Sequence, residues 1–166
     1  MTDKYTIGAG APGPGHDAGV NPFVEQLARH GVPEGMWPML SAHGVGTLVE
    51  KLGIVFTEIT VDRVVATMPV QGNQQVAGIL HGGASVALAE TVGSFGAAVH
   101  AGPSRRPVGL DINATHHRPG TSGLVRAVCE PIHLGRSTTT HEITITNDAG
   151  QRVCTARITN MLLDPA

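Results

Sequence analysis

Residues 78–94 read GILHGGASVALAETVGS, and the interpretation of the whole chain depends on this stretch. From Gly83 to His100 the side chains are apolar nearly all round, which is typical of a helix buried inside a protein. Its glycine and alanine residues lower helix propensity but allow a sheet or another helix to approach closely. A membrane span is disfavoured, because Glu90 would then lie in mid-bilayer, where a charge costs several kcal/mol. The stretch therefore predicts a buried helix in a globular domain.

The composition of the 166 residues limits the functions to be considered. Charged residues make up only 14% and hydrophobic residues 41%, so we expect part of the surface to be buried in an oligomer. A net charge of −2 and 3% aromatic residues argue against nucleic-acid binding by charge or by base stacking. The two cysteines cannot form a disulfide framework; they are interpreted as buried thiols in a reducing compartment, although a single bridge stays open. With no apolar leader at the start, we expect a cytoplasmic protein.

Two segments precede Gly53. Residues 1–19 are rich in Gly, Pro, Ala and Asp without a period, and they predict a disordered tail. Residues 20–52 predict an N-terminal helical extension, with Asn21 as the cap of a short helix and Pro22 at its first helical position. Between residues 34 and 52 the pattern fits either a second helix or a loop over the core.

Residues 53–166 carry the pattern of one domain. Two β-branched runs precede the central helix, at residues 53–60 and 63–70. Four strand-like segments follow it, at residues 107–118, 123–134, 137–147 and 151–163. The order ββαββββ predicts an α+β fold, in which one antiparallel sheet packs against one long helix.

Glu90 is the only acidic residue between Asp62 and Asp111, and it lies on the apolar helix. A buried carboxylate must be paired, hydrogen-bonded or protonated, because desolvating its charge is expensive. Burial would weaken its acidity toward the range that suits a base or a nucleophile. The alternative is a structural acid that caps a neighbouring helix or bonds across an interface, and both interpretations stay open.

The tripeptide His81-Gly82-Gly83 lies where the loop joins the helix. A helix start presents unpaired N–H groups and the positive end of the helix dipole, and glycine lets a ligand carbonyl come close. An oxyanion-binding site is one interpretation and a flexible turn is the other. Ser94 lies one turn beyond Glu90 on the same face, where its hydroxyl would hold a water or bond a carbonyl of the preceding turn.

The stretch GILHGGASVALAETVGS resembles the helix motif of the hotdog-fold acyl-CoA thioesterases. Within them it is most similar to the branch with the Arthrobacter-type 4-hydroxybenzoyl-CoA thioesterase and the phenylacetate-pathway thioesterases. The strings NATHHRP at 113–119, HLGRSTT at 133–139 and NDAG at 147–150 carry the same resemblance, which covers residues 53 to 163. It implies an antiparallel sheet wrapped around the helix, homodimers or homotetramers, and active sites at the subunit interface.

The resemblance also implies roles for single residues. Glu90 matches the catalytic carboxylate, and a Glu at this place favours the Arthrobacter-type branch. Gly82 matches the residue whose backbone N–H polarises the thioester carbonyl. Gln75 matches a glutamine near the thioester, Ser94 a hydroxyl residue that positions water, and His81 a supporting histidine.

The binding of coenzyme A is implied less directly. The family holds the nucleotide phosphates with Arg, Ser and Thr side chains, and Arg is suited to phosphate by its fork of donors. No cofactor and no metal are expected, and acyl-CoA is the expected partner. An acyl pocket along the helix would involve residues such as Leu88, Val92 and Phe95. The residues that match substrate-binding positions are Gly83, Asn113, Arg118, Gly135, Arg136, Ser137 and Thr138.

Two other functions remain as alternatives to the thioesterase. A hotdog enoyl-CoA hydratase uses Asp and His in a D-x4-H pattern, and Asp111 and His116 have that spacing. Asp111 and His116 fall on a strand after the helix, whereas the hydratase motif lies at the helix start, so the spacing is interpreted as coincidence. The related acyl-carrier-protein dehydratases also pair a His with an acid, but at a longer separation than His81 to Glu90. A metal site at His116-His117 is disfavoured, because neighbours on a strand point to opposite faces. A non-catalytic acyl-CoA-binding module is the other alternative.

Overall fold

The computed structural model describes residues 21–164, so the predicted tail at residues 1–19 lies outside the described residues. From residue 53 onward two strands come first, β1 (Val55–Ile59) and β2 (Val64–Pro69), and the long helix α3 (Gly82–Ala101) follows. Four more strands complete the domain: β3 (Arg106–His116), β4 (Leu124–Leu134), β5 (Thr138–Asn147) and β6 (Arg152–Leu163). The predicted order ββαββββ is confirmed.

All neighbouring strands are antiparallel, and they form one six-stranded sheet in the order β1-β2-β4-β5-β6-β3. Helix α3 packs against all six strands, so the sheet wraps around it as predicted. Close packing depends on glycine at one point in particular. A Cβ on Gly93 would lie 2.3 Å from Cγ2 of Ile158, so any side chain there would push helix and sheet apart.

The segment before β1 is built from three short helices. They are α1 (Val24–Arg29), a 3-10 helix (Glu34–Leu40) and α2 (Thr47–Leu52). Leu27, Met36 and Val49 enter the same core cluster as the buried residues of the sheet and of α3. The segment thus covers one side of the core, and the domain boundary at residue 53 stays a prediction.

The start of α1 differs from the prediction. The helix begins at Val24, so Pro22 lies before its first turn rather than at its first position. The side chain of Asn21 accepts a hydrogen bond from the N–H of Phe23 at 2.9 Å and donates one to the carbonyl of Trp37 at 3.0 Å. Asn21 therefore ties α1 to the 3-10 helix, which a local capping pattern does not reveal.

Strand β3 is an edge of the sheet. Within residues 21–164 it pairs only with β6, and its eleven residues are mostly exposed, with Leu110 54% exposed. A long, unpaired and partly apolar edge is a ready surface for another strand.

Within residues 21–164 no helix is both long and apolar enough to cross a membrane. Cys129 and Cys154 are buried and free, as predicted for unpaired thiols.

Candidate active site

The N-terminus of α3 holds one backbone N–H that nothing else uses. His81 adopts an extended backbone before the first turn, and its ring Nδ1 accepts the N–H of Gly83 at 2.8 Å. Within residues 21–164 the N–H of Gly82 has no acceptor. Gly82 thus presents a free donor at the positive end of a twenty-residue helix, where a carbonyl oxygen gaining negative charge would be stabilised.

This geometry separates three residues that the sequence grouped together. Gly82 keeps the predicted donor, whereas the N–H of Gly83 is already satisfied by His81. His81 is therefore the N-cap of α3, and its ring faces a shallow depression with Leu48 and Asn73 rather than the Gly82 side. The supporting role in catalysis that the sequence predicts for His81 stays a prediction.

A cavity of about 390 Å³ opens beside Gly82. Gln75, Arg118 and His116 line it, and the roles predicted for Gln75 and Arg118 stay predictions. The Nε2 atom of His116 lies 2.8 Å from the point that a Cβ on Gly82 would occupy. Sequence reasoning weighed His116 only as part of a hydratase or metal motif and missed this position, because the contact joins a strand to a distant helix.

Glu90 lies further along the same helix. Ser94 Oγ donates a hydrogen bond to Glu90 Oε1 at 3.0 Å, so the predicted pair on one helix face is present. Glu90 is exposed, however, and the burial expected from its apolar surroundings is absent in the single chain. The reason is the direction of the Glu90 side chain. The carboxylate faces the open edge of β3, where Oε1 lies 3.8 Å from the point that a Cβ on Gly109 would occupy.

The two candidate groups are too far apart to meet on one substrate within one chain. Eight residues of α-helix separate Gly82 from Glu90, which is about 12 Å along the axis. A second cavity, of about 430 Å³, lies on the far side of Glu90, and Ser94 and Phe95 line it. Each half of the candidate site therefore has its own cavity.

The other predicted substrate-binding residues are spread along the domain. The turn at Gly135 and Arg136 lies at the opposite end of α3 from Gly82, where His100 Nε2 is 3.0 Å from the carbonyl of Gly135. Arg105 donates to the carbonyl of Arg136 at 2.6 Å, so the turn is held firmly. Ser137 follows in that turn and Thr138 opens β5, while Asn113 is exposed on β3. No cavity described above includes these residues.

One expectation about the helix is corrected, and the Asp-His spacing on its neighbouring strand is a coincidence, as the sequence indicates. Leu88 and Val92 are fully buried in the core and cannot line an acyl pocket, whereas Phe95 does line a cavity. Asp111 and His116 lie five residues apart on β3, so they point to opposite faces and cannot act as a pair. Within residues 21–164 no group of His, Cys, Asp and Glu is arranged to hold a metal ion.

Comparison with known proteins agrees with this architecture. A sequence model of the thioesterase superfamily matches residues 77–154. The chain is 47% identical over 125 residues to the proofreading thioesterase EntH of Cronobacter sakazakii, which covers 75% of this chain and 91% of that protein. The EntH of Klebsiella pneumoniae is 43% identical with the same coverage.

Solved structures show the same fold. A thioesterase from Haemophilus influenzae is 42% identical with a TM-score of 0.68, over 70% of this chain and 82% of that one. A mutant thioesterase from Pseudomonas aeruginosa is 39% identical with a TM-score of 0.69, over 71% and 86%. Fold and sequence together define a hotdog-fold thioester hydrolase. The chain belongs to the thioesterase superfamily, which confirms the predicted enzyme class and supports acyl-CoA thioesterase activity.

Proposed function

We propose that the protein hydrolyses acyl-CoA thioesters to a free acid and CoA in active sites that two chains share. One chain supplies the Gly82 N–H, and the second supplies Glu90. The observation that carries this proposal is the free N–H of Gly82, which lies about 12 Å along α3 from a Glu90 carboxylate that faces the open edge of β3.

The arrangement of β3 and α3 supports the two-chain site. His116 lies beside Gly82 and Gly109 lies beside Glu90, so β3 runs along the helix in the opposite direction. If two copies of β3 pair as antiparallel neighbours about a point between these residues, His116 of one faces Gly109 of the other. The free N–H of one chain then lies near Glu90 of the partner subunit. An isologous dimer of this kind has two equal sites, and pairing of dimers gives the predicted homotetramer.

The chemistry follows from the groups present. The thioester carbonyl accepts the Gly82 N–H, and the positive end of α3 stabilises the charge that develops on its oxygen. Glu90 attacks the carbonyl carbon or takes a proton from a water that does so, with Ser94 holding the carboxylate in place. On the base route the CoA thiolate leaves with the proton that Glu90 took from water. On the nucleophilic route the thiolate leaves an acyl anhydride on Glu90; a water then hydrolyses the anhydride to the free acid and supplies the proton for the thiolate.

We propose that Gln75 in the Gly82 cavity orients the thioester. Arg118, which also donates to the carbonyl of Arg152 at 3.1 Å, is proposed to meet a phosphate with its remaining donors.

The remaining assignments rest on position and composition. The turn from Gly135 to Thr138 presents Arg136 to solvent and is proposed as a second contact for the nucleotide phosphates. The two free buried thiols support the cytoplasmic location. The tail, the N-terminal extension and the hotdog domain beginning at residue 53 are proposed as the three parts of the chain.

The proposal is tested by assaying acetyl-, octanoyl- and benzoyl-CoA hydrolysis by the full chain and by Glu90→Gln. Gln keeps the size of Glu90 but cannot act as base or nucleophile, so we expect kcat to fall about 1000-fold. Glu142→Gln, at an exposed position on β5, is the matched control and is expected to retain full activity.

Three outcomes would contradict the proposal. Equal turnover by wild type and Glu90→Gln removes the role of Glu90. Tight binding of CoA esters without turnover identifies the non-catalytic binding module instead. Hydration of an enoyl-CoA that is lost in Asp111→Asn identifies the hydratase.

A further inference from the structure

The cavity next to Ser94 is built in part from the N-terminal segment of this chain. Met36, Met39 and Leu40 of the 3-10 helix form one wall, and Phe95 and Ala98 of α3 form the other. The family model begins at residue 77, so it does not include the first wall. The segment before residue 53 covers the core and supplies no group to the proposed reaction.

The side chains that line this cavity determine which kind of group it can bind. Carbon and sulfur atoms of Met, Leu, Phe, Ala and Pro side chains make up most of its wall, and its volume of about 430 Å³ is in the range of ligand-binding pockets. Such a surface binds an apolar group by removing it from water. Two arginines also line the cavity. Arg105 is engaged, because it donates to the carbonyls of Ala101 and Arg136, and Arg106 is exposed at the start of β3.

The cavity is continuous with the proposed reaction centre. Ser94 lines it and also donates a hydrogen bond to Glu90 at 3.0 Å. A thioester carbon attacked by Glu90, or by a water that Glu90 holds, therefore carries its acyl substituent at the entrance of this cavity. The CoA part extends the other way, toward the chain that supplies the Gly82 N–H.

We infer that the 3-10 helix at Glu34–Leu40 determines the acyl specificity of the enzyme, with Met39 as its principal contact, and that the cavity takes a medium-chain alkanoyl group. This inference rests on the proposed function. Met39 is 39% exposed and lies outside the buried core cluster, so its side chain can change without loss of the core. Met36 in contrast belongs to that core.

The inference is tested with Met39→Trp, whose larger ring fills part of the cavity. We expect the ratio of kcat/KM for octanoyl-CoA to that for acetyl-CoA to fall at least about 10-fold. Val61→Trp is the matched control, because Val61 is equally exposed at 39% but lies in the turn between β1 and β2, and it should leave the ratio unchanged.

A second variant keeps the test decisive where the bulky ring prevents folding. Met39→Ala removes wall contacts without adding bulk, and it should lower the same ratio about fivefold. A ratio equal to that of wild type in the folded Met39 variants overturns the inference. In that case Glu90→Gln still reports on the proposed function, since its effect on acetyl-CoA does not depend on the cavity.

A binding measurement tests the acyl cavity separately from the proposed hydrolysis. The single tryptophan, Trp37, lies on the same 3-10 helix and hydrogen-bonds the carbonyl of Val32 at 2.9 Å. Its emission should change saturably with S-octyl-CoA, a thioether that cannot be hydrolysed, and not with CoA alone. A protein that shows this response but hydrolyses no ester retains the acyl cavity and refutes the proposed function.

Discussion

The two halves of helix α3 differ in what they offer a substrate. The first turn offers a free backbone N–H at Gly82, with Gln75, His116 and Arg118 around its cavity, and no acid. The middle of the helix offers the Glu90 carboxylate and an apolar cavity, but no free backbone donor, since helical N–H groups there are satisfied within the helix.

This difference explains why a single chain holds two incomplete sites. Both halves border β3, an edge strand of the sheet. The first turn lies beside His116 at the end of the strand, and the middle of the helix lies beside Gly109 near its start. In the proposed dimer, a second copy related by a two-fold axis would supply to each half what it lacks.

Mixing two inactive variants should restore activity. Gly82→Pro removes the free N–H and Glu90→Gln removes the carboxylate, so each variant alone lacks one element in every site. When the two variants are co-expressed in equal amounts, half of the dimers contain one chain of each kind. Each of these mixed dimers has one complete site. We expect about a quarter of the wild-type activity, measured as kcat per chain with octanoyl-CoA.

A double variant provides the control for this mixing experiment. When Gly82→Pro/Glu90→Gln is co-expressed with the wild-type chain, sites shared between chains leave only the wild-type dimers active, about a quarter of full activity. Sites contained within one chain would instead leave about half. The second value, or a failure of the two single variants to complement each other, contradicts the shared site.

The donor itself is tested by comparing Gly82→Pro with Gly82→Ala. Proline is tolerated at the first helical position, and the extended backbone of His81 suits a following proline. Both variants place a Cβ near His116 Nε2, at 2.8 Å, but only proline loses the N–H. We expect kcat to fall about 100-fold to 1000-fold in Gly82→Pro.

The alanine variant sets the reference in this pair. Its Cβ only displaces the end of the His116 ring, so a loss below about 10-fold is expected, with the remaining difference assigned to the N–H. Equal losses in the two variants would show that crowding at His116, and not the donor, is what matters at Gly82.

Much of the fold follows from the sequence. The alternation of residues such as Cys154, Ala156 and Ile158 with polar neighbours places β6 correctly, and the apolar run from Gly83 gives α3 to within one residue at each end. These patterns are local, and one face of each element meets the core. The start of α1 is wrong, because Asn21 bonds to Trp37 across the fold.

The site is predicted less completely. Glu90 stands out as a lone acid and Gly82 by its place before a helix, but the exposure of Glu90 is not visible in the sequence. An apolar face that meets a partner has the same composition as one that meets the core, so Glu90 was expected to be buried. His116 was missed as a cavity residue, since its position beside Gly82 depends on how strand and helix pack.

The smallest change is expected from a buried histidine that packs against the second half of α3. His141 is 1% exposed beneath Gly96, and both of its ring nitrogens lack a hydrogen-bond partner within residues 21–164. Burial, assisted by the nearby His100, lowers the pKa of His141 from 6.5 to about 4. Between these values the unfolded chain binds a proton that the folded chain does not, so stability falls with falling pH.

His141→Phe should therefore flatten this pH dependence. The loss of stability assigned to His141 between pH 6.5 and pH 4 amounts to roughly 3 kcal/mol at most, and phenylalanine cannot be protonated. Urea unfolding at pH 7 and pH 5 measures it, and we expect the drop in midpoint to be smaller in the variant. Parallel curves for variant and wild type would show that His141 is not the group that titrates.

The wall formed by Met36, Met39 and Leu40 has an evolutionary consequence. Because the 3-10 helix contributes no group to the proposed bond breaking, substitutions there can alter substrate preference without disturbing the chemistry. Descendants of one ancestral gene could thus diversify toward different acids through mutations in this short segment, while selection keeps the helix α3 motif constant.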